Sequence, residues 1–262
     1  MKKDSMFRNV GMCLVAATAV WMSGTVSAED AKSASDVAWK QIGEAPGVVG
    51  MAVAGGKLFA VTSGKKLLAC DSSATKVEWQ TIGDAPNGVV AMGAVEGKLY
   101  VSLNARAAGR LFSRDAITTN AAWENIGHAW CLVGMAGAPG KIYGLVDTKE
   151  IGSEPTIMVR NIVATPEDKA ADAAAAPGCD GNPWRGGTDR RPPVGALALT
   201  EVGGKYYVAT KEDALFVGDV TKNDVPWKQI GDAAGVTILA GGDGKLFAVT
   251  KSGKLLVWAP KN

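Results

Sequence analysis

Histidine is almost absent from this chain: one residue, His128, in 262. A metal centre or catalytic cluster built on several imidazoles is therefore excluded. Cysteine is scarce as well, with four residues and no Cys-x-x-Cys pair, so no redox motif or zinc ribbon can be drawn. A chain this long buries an apolar core without staples, which sets aside the disulfide-scaffold class. An excess of either charge is missing, with 28 Lys and Arg against 26 Asp and Glu. Beyond the N-terminus, no run approaches the ~18 uninterrupted apolar residues that a spanning helix needs. Also missing are a Gly-x-Ser-x-Gly elbow, a phosphate loop, an Asp-x-Asp-x-Asp-Gly calcium loop and carboxylates paired at an informative spacing.

The N-terminus carries the layout of a secretory signal peptide. Lys2, Lys3 and Arg8 make a basic start, Val10 to Met22 an apolar run, and Val26-Ser27-Ala28 a small-residue end. Cleavage is expected after Ala28, giving an exported protein, periplasmic or extracellular. The 234 residues that follow hold 25 basic and 25 acidic side chains, so no overall field draws in nucleic acid or an anionic membrane. Neither partner is expected, nor is a membrane span. Cys70, Cys131 and Cys179 remain; an odd number in an exported chain leaves at least one thiol free or paired with another chain.

What the chain does have is repetition. "WKQIGEA" at 39 returns as "WQTIGDA" at 79, "WENIGHA" at 123, a degraded "WRGGTD" at 184 and "WKQIGDA" at 227. After each comes a small-residue apolar run and then a Gly-Lys strand: "GKLFAVT" at 56, "GKLYVSL" at 97, "GKIYGLV" at 140, "GKYYVAT" at 204 and "GKLFAVT" at 244. A third short run follows each time. These runs are short, rich in Val, Leu, Phe and Tyr, and bounded by Gly, Asp, Asn or Ser, which are strand and hairpin signals. The residue pairs ahead of each Lys supply the positive φ of tight turns. One repeat reads as a four-stranded antiparallel meander, the unit of a β-propeller blade.

The chain opens on a lone Trp strand, "VAWKQIG", and closes on three strands with no Trp strand after them. The two fragments complete one blade, and joining them leaves no open sheet edge at the seam. The expected fold is all-β: a single five-bladed β-propeller over 36–262, of four-stranded antiparallel blades, ring closed by the N-terminal strand completing the C-terminal blade. A short tail, 29–35, precedes it. The Gly-, Ala- and Val-rich innermost strands suit a narrow axis where backbones crowd. An Ala-, Asp- and Pro-rich insertion, 165–183, interrupts the third blade as a mobile loop with room for a helical turn. The Trp motifs, the Gly-Lys-aromatic strands and this closure resemble five-bladed propellers of the tachylectin type and, more loosely, tectonin-repeat propellers. That resemblance implies pockets for N-acetylated sugars, up to one per blade.

Each candidate site residue has a structural alternative. The repeated Trp39, Trp79, Trp123, Trp184 and Trp227 can stack on sugar rings, or can pack between blades and donate their N–H. Lys57, Lys98, Lys141, Lys205 and Lys245 invite a phosphate, or are solvated hairpin lysines. The residue after each "IG" (Glu44, Asp84, His128 and Asp232) can accept a sugar hydroxyl on the face of the blade-to-blade connections, or can cap its turn. Departures from the repeat add His128, Trp130 and Cys131 in the third connection, Asp189, Arg190 and Arg191 in the fourth, and Asn104, Arg106 and Arg110 in the second blade's loop. Such a basic, aromatic patch suits an acidic sugar or a partner's carboxylates, or is the drift of loops. His128 and Cys131 are three apart, and on one extended strand they would face opposite ways, so no nucleophile pair is expected. The ligand-binding set is accordingly Glu44, Asp84, His128, Trp130, Arg190, Asp232 and Arg106, with no catalytic residue, no metal and no cofactor. The expectation is a monomeric, non-catalytic recognition protein binding glycans at the loop face. The alternatives are a protein-interaction scaffold in the periplasm or cell envelope and, third, an enzyme with an axial site.

Overall fold

The computed structural model describes residues 37–103, 109–129, 131–146, 155–163, 166, 170, 184, 191–219 and 225–260. The signal-peptide and tail segments, 1–28 and 29–35, lie outside them. So does the insertion 165–183, apart from the helical Pro166 and Ala170. Strand β1 (Lys40–Glu44) begins one residue after Trp39. Blade 1 follows as β2 (Val48–Ala54), β3 (Lys57–Thr62), β4 (Lys66–Asp71) and β5 (Gln80–Asp84). Blade 2 is β6 (Val89–Val95), β7 (Lys98–Leu103), β8 (Arg110–Asp115) and β9 (Glu124–His128). Blade 3 shows three strands among the described residues: β10 (Leu132–Ala138), β11 (Lys141–Val146) and β12 (Thr156–Asn161). Blade 4 is β13 (Ala196–Val202), β14 (Lys205–Thr210), β15 (Ala214–Asp219) and β16 (Lys228–Asp232). Blade 5 takes β17 (Val236–Gly242), β18 (Lys245–Thr250) and β19 (Lys254–Trp258) from the end of the chain and β1 from its beginning. Lys40 pairs with Val257 and Glu44 with Lys254, so the seam closes as the repeat implies.

The second strand of each blade is apolar on both sides because both sides are covered. In β3, Leu58, Phe59, Ala60 and Val61 are all fully buried. Leu58 and Ala60 join a cluster with Phe247 and Val249 of blade 5, while Phe59 and Val61 join one with Leu99 and Val101 of blade 2. Five such clusters, one at each blade boundary, make up the core. Each fully buried Leu or Phe contributes roughly 1.5–3 kcal/mol, so removing a blade exposes two neighbours.

The turns ahead of the Lys strands follow the residues present. Glu96-Gly97 and Asp243-Gly244 have both residues at positive φ, as a two-residue hairpin loop favours. In blade 3, Pro139 cannot adopt that φ, and Gly140 alone carries it at 72°.

Two bulges recur that the apolar pattern does not announce. In the innermost strands the pairing skips one residue (Val48 opposite Thr62, then Gly50 opposite Val61), and the same shift occurs in all five blades. The skipped residues are Val49, Val90, Val133, Leu197 and Thr237. In the outer strands the skipped residue is the Ile of "IG": Ile42, Ile82, Ile126 and Ile230. A bulge bends its strand and re-aims the extra side chain, and each of these isoleucines packs into or against an inter-blade cluster.

Candidate functional site

The repeated tryptophans are tied in place by hydrogen bonds across the blade boundaries. Trp79 Nε1 donates to the Glu44 carbonyl, and Trp123 Nε1 to the Asp84 carbonyl, both at 2.9 Å. Trp184 Nε1 donates to the His128 carbonyl at 2.8 Å, Trp227 Nε1 to that of Arg191 at 2.6 Å and Trp39 Nε1 to that of Asp232 at 2.9 Å. Each acceptor belongs to the preceding blade, so the five bonds run once round the ring. Trp184 keeps the geometry although its motif is degraded, with Arg191 taking the acceptor's place two residues later than the repeat spacing.

This ring explains the residue after "IG". Its main chain is committed: the carbonyl accepts the indole, and the amide of the following alanine donates to the adjacent hairpin, as from Ala45 to Gly253 and from Ala85 to Lys65. The side chains of Glu44, Asp84 and Asp232 are exposed. They are not turn caps among the described residues. Asp84 instead accepts from Lys66 Nζ at 2.6 Å, its cross-strand neighbour, and Glu44 and His128 stand opposite Lys254 and Arg110. His128 and Cys131 do not share a strand as the extended-strand argument supposed. His128 ends β9, and Cys131 turns the chain at φ 49° before β10. Trp130, Arg190 and Arg106, with Asn104 and Asp189, lie outside the described residues.

The repeated lysines also find protein partners. Lys57, Lys98 and Lys205 stand directly across from Asp71, Asp115 and Asp219, and Lys141 from Asn161. Opposite charges so placed attract one another across the sheet. Lys245 is the exception, half-buried rather than exposed.

Two buried cations were not singled out from the sequence. Arg114 is 3% exposed; it donates to the Thr118 carbonyl at 2.8 Å and lies 5.5 Å over the Trp123 ring. Burial pushes its guanidinium below the ordinary arginine value, partly offset by Asp115. Arg160, 5% exposed, donates to the carbonyls of Ile126 and His128. The signal was available in the aligned third strands, "LLACD", "LFSRD", "IMVRN" and "LFVGD", where Arg replaces Cys or Gly. The Arg114 guanidinium fills space beneath the loop after β8, where the residue two before the Trp is Ala121 and blades 1, 4 and 5 carry Val77, Val225 and Val37.

Two concavities differ sharply in character. At the axis, the five innermost strands leave about 70 Å³, and Thr237 is the one polar side chain among the residues lining it. Backbones crowd there: a Cβ on Gly50 would lie 2.9 Å from Met92 Cβ, and one on Gly137 would meet the Ala94 carbonyl. The larger concavity, about 840 Å³, opens on the face opposite Glu44, Asp84 and Asp232. It is bounded by the Gly55-Gly56 hairpin, the end of β4 with the loop after it, and Asp243 and Lys245 of blade 5. Hydrogen bonds from the Ser73 hydroxyl and amide, at 2.6 and 2.7 Å, hold the Asp71 carboxyl below the usual carboxylate range, with Lys245 and Lys57 adding to the effect. Burial, and then Asp71, pushes the Cys70 thiol up to about 11. Among the described residues no three His, Cys, Asp or Glu side chains come together as a metal site would require, and no helix is long and apolar enough to cross a membrane.

The class this fold defines is the five-bladed β-propeller. No family model matches the chain, and no curated protein matches it in sequence. Among solved structures it is similar to the PQQ-bound aldose sugar dehydrogenase of Streptomyces coelicolor, at 12% identity and a TM-score of 0.48, over 85% of this chain and 98% of that one. It is also similar to a chain of the nidogen/laminin complex, at 9% identity and a TM-score of 0.48, over 81% and 80% of the two chains. BamB from Moraxella catarrhalis matches at 10% identity and a TM-score of 0.41, over 81% of this chain and 69% of its own. None of the three bears on what this chain binds.

Proposed function

We propose that the chain is an exported, monomeric, non-catalytic recognition protein that binds glycans at a face of the propeller disc. The observation that carries the reading is the contrast in size and side chains between the two concavities: an axis of about 70 Å³ where Thr237 is the one polar side chain, and a face opening of about 840 Å³ lined by hydroxyl, amide, carboxylate and ammonium side chains beside Ala69, Ala74 and Ile82. Ligand sites of small molecules fall in this size range, and sugar hydroxyls, which both donate and accept, match walls offering both. The tachylectin-like pattern of the repeat supports the same ligand class. The signal-peptide layout supports export, and the balanced charge leaves no general attraction to polyanions. A glycan-array screen of the purified protein tests the reading. Saturable binding to a defined set of glycans is expected; absence of binding to every glycan contradicts it and favours the protein-interaction alternative.

A further inference from the structure

Blades 5 and 1 are clamped together on the face of the large concavity by Ser72, a buried hydroxyl. Its Oγ lies 2.6 Å from the Asp243 carboxylate and 2.9 Å from the Gly56 carbonyl, and its own carbonyl accepts from Lys245 Nζ at 3.2 Å. The clamp joins positions 171 and 173 residues apart in the chain, so the repeat does not encode it. It also sets the orientation of the groups that line the cleft. Asp243 gives one oxygen to Ser72, and Asp71 gives one to Ser73. The second oxygen of each remains, and the side chains of Lys76, Glu78 and Gln80, which line the cleft, make no hydrogen bond among the described residues.

Three ammonium groups (Lys57, Lys76, Lys245) face three carboxylates (Asp71, Glu78, Asp243) round this cleft. Walls of balanced sign give a charged ligand no net attraction, while acceptors beside donors suit groups that both donate and accept. Blade 2 offers no second copy of the clamp. Ala116 stands there, and Ile162 in blade 3, where blade 1 carries Ser72, while Glu96 accepts from the amide of Gly140 and Arg114 fills the space under the loop. We propose that the cleft between blades 5 and 1 binds one uncharged, polyhydroxylated ligand per chain, a sugar ring whose hydroxyls bridge Asp71 and Asp243 to the lysines. The proposal rests on the glycan reading above and narrows it from repeated sites to one.

Amide ¹H–¹⁵N spectra of the purified protein, titrated separately with N-acetylglucosamine, methyl α-glucoside and inorganic phosphate, provide the test. A sugar should move the amides of Gly56, Ser72, Ser73 and Asp243 saturably and leave Glu44, Asp84 and Asp232 on the other face still. In Asp243→Asn the other face should keep its spectrum while affinity falls roughly tenfold, as loss of one charge-assisted hydrogen bond implies. Saturable sugar shifts confined to the other face overturn this site and leave the glycan reading standing. Saturation by phosphate but by neither sugar overturns the ligand class. No saturable shift with any probe overturns the proposal, and the glycan array then decides separately whether the broader reading falls with it.

Discussion

A tryptophan whose indole N–H meets a carbonyl of the preceding blade fixes both its own ring and the rim of the next sheet. Replacing Trp123 with Phe keeps most of the buried ring but removes the bond to Asp84, and the expected cost is about 1 kcal/mol. Urea unfolding should show it as a lower midpoint at unchanged slope. Cys70 makes a second prediction at this scale. Its thiol is held protonated by burial first and by Asp71 second, so its pKa is raised in the fold. The stability tied to that thiol is fully present below the unfolded value near 9 and declines as pH rises from there to about 11. Alkylation of Cys70 in the native protein should accordingly be slow at pH 8 and accelerate as the pH approaches 11. Rapid labelling at pH 8 without unfolding would show that the thiol is neither buried nor shifted.

At the scale of the strand, the repeated bulges turn a sequence signature into geometry. The Ile of "IG" is the extra residue of the outer strand, re-aimed toward the boundary between blades. The strands themselves were legible in the Gly-Lys punctuation and the Val, Leu and Tyr runs. The bulges were not, because an added Ile82 or Val49 sits inside an apolar run without altering its composition. The crowded axis was legible in the Gly- and Ala-rich inner strands, and it makes a prediction. Gly137→Ala in β10 places a methyl group against the Ala94 carbonyl of blade 2, where overpacking should cost about 1–3 kcal/mol. Gly97→Ala on the open hairpin, with nothing near its missing Cβ, carries only the strain of its φ of 75° and should cost less. Thermal melts of the two variants, compared side by side, check the order.

For the whole molecule, closure is what makes five weakly independent sheets one unit. Deleting residues through Glu44 removes β1, strips β19 of its outer partner and takes away both Trp39 and the acceptor of Trp79. The expected result is a larger loss of melting temperature than either substitution above and association through the exposed edge of β19, read by size-exclusion chromatography. This seam was readable from the chain ends because the missing strand of the last repeat stands alone at the start. The cleft was not, since Ser72 and Asp243 are joined only by folding and neither departs from its neighbours in a way that marks a ligand. Of the residues the repeat had nominated, Glu44, Asp84, His128 and Asp232 lie on the opposite face, with their backbones serving the tryptophan ring.

Titration calorimetry with the glycan that binds best on the array, using wild-type protein and Asp243→Asn, tests the central claim most directly. The account predicts one ligand per chain and roughly tenfold weaker binding in the variant. Several ligands per chain with affinity untouched by Asp243→Asn would contradict it and return recognition to the repeated positions.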